Sequence, residues 1–302
     1  MCLISFITIN YNGLRDTCQL IESIPDSDDV EVIVVDNASA TDEATIIAQR
    51  YPRVVVVRSK QNLGFAGGNN LGIKASHGRF LFFINNDAEL CGTNSEKLEA
   101  LLLLAKRMEE NGQVAMVCPK IRFYWELQPI QYAGYTPLSR ITMRNSSIGF
   151  GEADRGQYDT AHTTPYVHGA AMMVSRQAVE SAGMMPEEFF LYYEELDWSM
   201  MMRRAGYELW YDPAMTVLHK ESQTTGQASP LRTYYITRNR LLFARRNIGM
   251  PLRLLTYMYL LGLVATRDLL KHLVHRRADL RRATWHGIGD FLKGCYGFRA
   301  MP

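Results

Sequence analysis

The sequence predicts an α/β fold, with a mostly parallel central sheet flanked by helices and a helical C-terminal extension. Three observations predict it. Short apolar, β-branched runs alternate with helical patterns through the first 120 residues, as in strands buried on both faces and joined by helical crossovers. Two of these runs, VEVIVVD and RFLFFIN, end directly in Asp or Asn, which sets polar groups at the carboxyl edge of the sheet. From Leu231 onward the chain reads as helix, broken at Gly249-Met250-Pro251.

The elements follow in order. LISFITIN (3–10) is a buried strand, followed by a helix over Leu14–Ile24. VEVIVVD (30–36) is a second strand, and Ser39 or Thr41 starts the helix DEATIIAQRY. RVVVVRS (53–59) is a third strand, GGNNLGIKASH (67–77) a helix, and RFLFFIN (79–85) a fourth strand. EKLEALLLLAKRMEEN (96–111) is a long helix before the strand QVAMVCP (113–119). Residues 120–165, rich in aromatics, Gly, Ser and Thr, lose the rhythm and predict hairpins and loops. HGAAMMVSR (168–176) returns to strand, and RQAVESAG and EELDWSMMMRRAG are helices with glycine stops. YELWYDP and AMTVLH (207–219) are two strands, and the polar ESQTTGQASP (221–230) is a mobile loop and candidate lid.

With 302 residues, 47% hydrophobic and 21% charged, the chain is globular rather than disordered or fibrous. Net charge is +2, but unevenly spread. From Arg232 on there are 14 basic and 3 acidic residues, or +11, whereas the remainder holds 19 and 28, or −9. A basic tail on an acidic body suggests different partners for the two parts. Five cysteines without a CxxC pattern predict free thiols in a reducing compartment. MCLISFITINYNG has no signal-peptide pattern, and no apolar run reaches 18 residues. The expected location is cytoplasmic.

Five constellations carry possible chemistry. Asp36, directly after a strand, can accept hydrogen bonds from a nucleotide or cap the next helix. NLGFAGGNNLG (62–72) permits close backbone approach to a ligand or tight helix–sheet packing, and it is neither GxGxxG nor a P-loop. Asn85-Asn86-Asp87 is either a turn or an oxygen-donor site that a substrate diphosphate would complete around a divalent ion. Glu194, Glu195 and Asp197 crowd a helix start among aromatic rings, which suits the helix dipole and also a base of raised pKa. His219 ends a strand before the polar loop, as Asp87 follows one.

In their order and spacing, ISFITINYNG, EVIVVDNASATD, NLGFAGGNNLGI, FLFFINND, HGAAMMVSR, FFLYYEELDWSMMMRRAGY and YYITRNRLLF resemble family 2 glycosyltransferases of the GT-A fold, especially the rhamnosyltransferase-like branch. The resemblance implies a nucleotide-diphospho-sugar transferase with a catalytic domain at 1–230 and an extension at 231–302. The nucleotide-sugar half would be 1–120 and the acceptor half 121–230. It implies inverting transfer from a donor such as dTDP-rhamnose or a UDP-sugar to a hydroxyl of a glycan or lipid-linked acceptor, in cell-surface polysaccharide synthesis. Asp36 becomes the base contact, with Thr8, Asn10, Asn12 and Asn37 around it. Gly64, Phe65, Gly67, Gly68 and Asn69 would follow the donor, with Asn85 and Asn86. Asp87 and His219 would hold Mg2+ or Mn2+, Glu195 would be the base, and Glu194 and Asp197 would support the acceptor. Two positions depart from the family pattern. Asn85 replaces the first Asp of the DXD-type motif, and Glu194-Glu195 replaces Glu-Asp.

The tail LRLLTYMYLLGLVATRDLLKHLVHRR (252–277) is basic, amphipathic and aromatic-bearing. It predicts peripheral attachment to an anionic membrane surface on the cytoplasmic face. The alternatives are packing on the catalytic domain or contact between two copies. Rival classes are a sugar nucleotidyltransferase and a non-catalytic sugar or nucleotide binder. No nucleic-acid motif accompanies the basic tail.

Overall fold

The computed structural model describes residues 3–221 and 229–300. The opening alternation comprises β1 (Ile4–Asn10), α1 (Leu14–Ser23), β2 (Val30–Asp36), α2 (Glu43–Arg50), β3 (Val54–Arg58), α3 (Gly64–Ala75) and β4 (Phe80–Ile84). Then come β5 (Ala88–Leu90), α4 (Asn94–Glu110), β6 (Val114–Phe123), β7 (Ile130–Tyr132), β8 (His162–Thr163) and β9 (Ala171–Ser175). α5 (Arg176–Ala182), α6 (Glu194–Arg204) and β10 (Glu208–His219) complete the body. The C-terminal part is α7 (Pro230–Asn247), α8 (Leu252–Tyr257), a π-wound segment Met258–Ala265, α9 (Thr266–Val274) and α10 (Ala278–Lys293).

One sheet crosses the molecule in the order β3-β2-β1-β4-β9-β6-β10-β5, with β7 on β6 and β8 on β10. β3, β2, β1 and β4 pair in parallel, as expected from their apolar runs. Beyond β4 the sheet is mixed. β9 enters antiparallel between β4 and β6, and β5 returns antiparallel along β10. A buried apolar run specifies burial and not strand direction, so periodicity left this half open. The two strands expected at 207–219 are one strand, β10, whose register shifts between Asp212 and Thr216. Pro213 lies in that irregularity, where its missing N–H breaks no ladder bond.

The main core fills the space between the sheet and its helices. Trp198 of α6 is fully buried, meets Phe83 edge-on at 5.4 Å between ring centroids, and donates from Nε1 to Gly183 O at 2.8 Å. Burying a large apolar side chain is worth about 1.5–3 kcal/mol. α4 starts at a capping box, with Thr93 and Glu96 each satisfying the other's backbone N–H. The C-terminal helices pack on the body through a second core that joins Leu241, Leu242 and Ile288 to Phe189, Met143 and Tyr166. Their outer faces leave Leu254, Met258, Leu263 and Leu270 more than half exposed. Among the described residues, no helix is long and apolar enough to cross a membrane.

Candidate active site

The parallel strands deliver Asn10, Asp36 and the Asn85-Asn86-Asp87 turn to one sheet edge. β5 folds back there and pairs Ala88 with His219, so the far strand β10 ends beside the same turn. One chain of hydrogen bonds ties these ends together. Asn86 Nδ2 donates to Thr17 Oγ1 (3.1 Å), which donates to Asn10 Oδ1 (2.7 Å). Asn10 Nδ2 donates to Glu43 Oε2 (2.7 Å) and Ser39 Oγ (3.1 Å), and Ser39 N–H donates to Asp36 Oδ1 (2.9 Å).

This network changes several expected roles. Asn10 is fully buried, with both ends of its amide committed to protein, so it braces the edge instead of lining a pocket. Asn86 holds α1 through Thr17 in the same way. Thr8 and Asn69 are also buried, and Thr8 Oγ1 and Asn69 Nδ2 have no hydrogen-bond partner among the described residues. Asn12 remains exposed in a left-handed conformation (φ 53°), and its Oδ1 accepts from Ala40 N–H at 2.7 Å.

The glycine segment resolves toward packing. Asn37 accepts from Leu63 N–H (2.9 Å) and donates to Gly64 O (3.1 Å), which locks the turn to the end of β2. Gly64 has φ +71°, and any Cβ there would collide with the Phe190 carbonyl. Cβ atoms on Gly67 and Gly68 would come within 2.8 Å of Leu63 and Ile9, respectively. The close approaches at Gly64, Gly67 and Gly68 on the Cβ side are to protein. Phe65 N–H donates to Phe190 O at 2.8 Å, so this turn carries the segment that leads into α6.

Asp87 and His219 do meet. Asp87 Oδ1 lies 3.2 Å from His219 Nε2, and Asn85 Nδ2 lies 3.3 Å from the same nitrogen. Gln131 Oε1 sits 2.9 Å from His219 Nδ1. A ring that donates from Nδ1 to that amide oxygen, with Nε2 unprotonated, presents the Nε2 lone pair on the side of Asp87. Two donor atoms then face each other at 3.2 Å. Adjacent ligands around an octahedral ion with bonds of about 2.1 Å are separated by about 3 Å. The pair therefore fits two neighbouring ligands of one divalent cation. No group of three or more His, Cys, Asp or Glu side chains suited to a metal occurs among the described residues, so further ligands would come from substrate or water.

The segment His168-Gly169-Ala170 links this pair to the acidic helix start. Ala170 O accepts from Asn85 N–H (2.9 Å), the His168 ring faces His219 at 6.2 Å, and Gly169 lies against the side chain of Glu195. Burial, with a smaller effect of His219, pushes His168 down to about 3. It is neutral at physiological pH, with Nδ1 accepting from Ala170 N–H.

Glu195 is partly exposed at the start of α6. Burial pushes its carboxyl up to about 7, against the pull of the backbone N–H groups of Glu195 and Leu196. Glu194 is buried, and Oε2 has no partner among the described residues. Its carboxyl is held well above the usual range by burial and then by Glu195. Asp197 does not join them. Two residues along a helix is about 200° around it, and Asp197 is fully buried on the other face. There it accepts from Arg246 Nε (2.9 Å) and Asn247 Nδ2 (2.6 Å). The expected acceptor contact at Asp197 is thus corrected to a link between α6 and α7.

Residues that sequence reasoning left without a role hold this region. Phe190, Tyr192 and Tyr193 have φ values of 64°, 68° and 78° just before Glu194, a strained run for side-chain-bearing residues. α7 holds it in place. Asn239 Nδ2 donates to the carbonyls of Phe189 (2.8 Å), Leu191 (2.7 Å) and Tyr192 (2.9 Å). The buried Arg238 donates to Phe189 O (2.8 Å) and Gly297 O (2.7 Å). The YYITRNRLLF segment signalled these residues, but only the fold shows what they grip. Asn239→Ala should cost about 1–3 kcal/mol, the penalty of buried groups left unsatisfied. A tenfold or larger loss of kcat is expected while nucleotide still raises Tm. Unchanged turnover would show that α7 does not position the helix start. The candidate lid at 221–230 falls largely on residues 222–228, which lie outside the described residues.

The mixed α/β fold is that of the GT-A glycosyltransferases. Residues 5–183 match the family model described as Glycosyl transferase family 2, and the chain belongs to that family. It is 27% identical over 245 residues to the low-salt glycan biosynthesis hexosyltransferase Agl10 of Haloferax volcanii, across 79% of this chain and 74% of that protein. It is 26% identical over 217 residues to the N-acetylglucosaminyl-diphospho-decaprenol L-rhamnosyltransferase of Mycobacterium tuberculosis, across 66% and 69% of the two chains. Its fold is similar to that of GalNAc-T7 solved with UDP, GalNAc and Mn2+, with a TM-score of 0.61 at 13% identity. That likeness covers 90% of this chain and 58% of the other.

Proposed function

We propose that the chain transfers a sugar, with inversion, from a nucleotide-diphosphate donor to a hydroxyl of a glycan or lipid-linked acceptor. The observation that carries this reading is the convergence on residues 168–170: Gly169 against Glu195, Ala170 bonded to Asn85, and His168 facing His219. Asp36 would seat the nucleoside end, and Asn37 would hold the turn beside it. Asp87 and His219 would hold Mg2+ or Mn2+, which when bound neutralises charge on the departing diphosphate.

Glu195 is the base of this proposal. With its carboxyl near 7, a large fraction is ionised at neutral pH, yet it still holds a proton well once it has taken one. It would remove the acceptor hydroxyl's proton as that oxygen attacks the anomeric carbon opposite the diphosphate. Glu194 is buried, with its carboxyl held well above the usual range, and would be the lesser candidate for that role. The mycobacterial relative's lipid-diphosphate acceptor supports an acceptor of that class here. The exposed apolar residues of the C-terminal helices beside their Arg and Lys support peripheral attachment to an anionic membrane.

The test is a thermal-shift screen of nucleoside diphosphates with Mn2+ and with EDTA. A ligand at 100 times its Kd adds about 2.7 kcal/mol to the stability of the folded state. One base should raise Tm by several degrees with Mn2+ and much less with EDTA. If no nucleoside diphosphate shifts Tm in either condition, the donor assignment fails.

A further inference from the structure

A cavity of about 230 Å³ lies among the C-terminal helices, bounded by α7, the π-wound segment, α9 and α10. Its floor is apolar, with Leu260, Val264 and Ile288. Arg144, Arg232, Arg240, Arg267 and Lys271 also line it. Among the described residues that line it, Asp268 is the one carboxylate, and it is paired with Arg267 at 2.6 Å. With Arg267 taken up by Asp268, Arg144, Arg240 and Lys271 still set positive charge around an apolar floor. The cavity is joined to the acidic helix start, because Arg240 Nε donates to the Tyr193 hydroxyl at 2.9 Å. Tyr193 is the residue directly before Glu194 and Glu195.

We propose that this cavity seats the diphosphate head and first prenyl carbons of a lipid-linked saccharide acceptor. The proposal rests on the transferase reading above and names its acceptor class. A free phosphate would use the cations but gain nothing from the floor. A flat bilayer surface would meet the rim but not enter the recess between the helices. The volume lies below the roughly 300–1,000 Å³ that encloses a whole drug-sized ligand, so the head would enter and the rest would stay outside. Leu263 and Leu270, on the same two segments, expose apolar surface along which a prenyl chain could leave. The saccharide would extend past Tyr193 toward Glu195.

The test uses the full chain in EDTA, so that the Asp87–His219 pair cannot capture a diphosphate through a metal ion. Farnesyl diphosphate is the probe, beside inorganic diphosphate and farnesol. It should bind saturably, and each fragment at least tenfold more weakly. The double variant Arg144→Glu with Lys271→Glu, at two exposed rim positions, should weaken the probe at least tenfold. Arg144→Gln with Lys271→Gln should weaken it less. The nucleotide-induced Tm shift with Mn2+ should survive in both, which shows that they fold. Inorganic diphosphate binding as tightly as the probe would reduce the site to a plain anion site and overturn the proposal. Unchanged probe affinity in the charge-reversed variant would overturn it too, as would loss of flotation with phosphatidylglycerol vesicles at unchanged probe affinity, which would assign the rim to the bilayer. If no nucleotide shifts Tm in the wild-type chain while the probe still binds, the donor reading fails and the cavity assignment stands.

Discussion

Glu195→Gln is expected to lower kcat by a factor on the order of 10² or more while nucleotide affinity stays unchanged. Gln keeps the shape of the side chain but cannot take a proton. The pH profile gives the second reading. Burial pushes Glu195 up to about 7, and the base acts only when ionised, so kcat/KM should rise with pH through about 7 and level off above. The variant's residual activity should lack that limb. The same shift sets the sign of a stability effect. The folded state binds this proton more tightly than the unfolded chain does. Its contribution is therefore fully present below the ordinary carboxylate range and is lost as pH rises through about 7. The Tm of Glu195→Gln, relative to wild type, should be higher at pH 8 than at pH 5. Glu194→Gln is the comparison, because burial holds the Glu194 carboxyl well above its usual range. If Glu194→Gln removes the acid limb and Glu195→Gln does not, the base is Glu194.

Asp87→Ala should weaken metal-dependent nucleotide binding on the order of 10²-fold, about 2.7 kcal/mol. It removes one of the two protein donors that face each other at 3.2 Å, and the one with a full negative charge. His219 would keep its partner Gln131, so the imidazole alone should leave only a weak metal response. Titrating Mn2+ at fixed nucleotide, with Tm or intrinsic fluorescence as readout, measures this directly. A variant that retains the wild-type Mn2+ response would remove Asp87 from the metal site.

Much of the fold and part of the site were legible in the sequence. The runs ISFITIN, VEVIVVD and FLFFI are continuous apolar stretches, and burial on both faces follows from that pattern alone. Asp87 and His219 stood out by position, each at or just after the end of a strand, although a lone strand-end His is more often structural. Other residues have structural contacts that the sequence alone did not show. Asn10, Asn86, Gly67 and Gly68 are the polar and small residues expected beside a ligand. The same residue types also brace an edge and let a helix lie close to a strand, and here they do so. Asp197 shows the general difficulty. It shares a helix start with Glu195, but which face a residue presents depends on what packs against each side, and α7 lies more than 30 residues farther along the chain.

The sequence by itself determined the alternating elements, the buried strands, the carboxylate and imidazole at strand ends, and the basic helical tail. These follow from local periodicity and residue chemistry, which neighbouring residues specify. Only the tertiary structure decided that β9 runs antiparallel through the sheet, that Gln131 orients His219, and that Arg238 and Asn239 hold the strained turn before Glu195. It also decided that the tail encloses a cationic cavity one hydrogen bond from that turn. Each of these depends on contacts between residues far apart in the chain. Such contacts are set by how whole faces pack and by which buried polar groups find partners, and no local pattern records that.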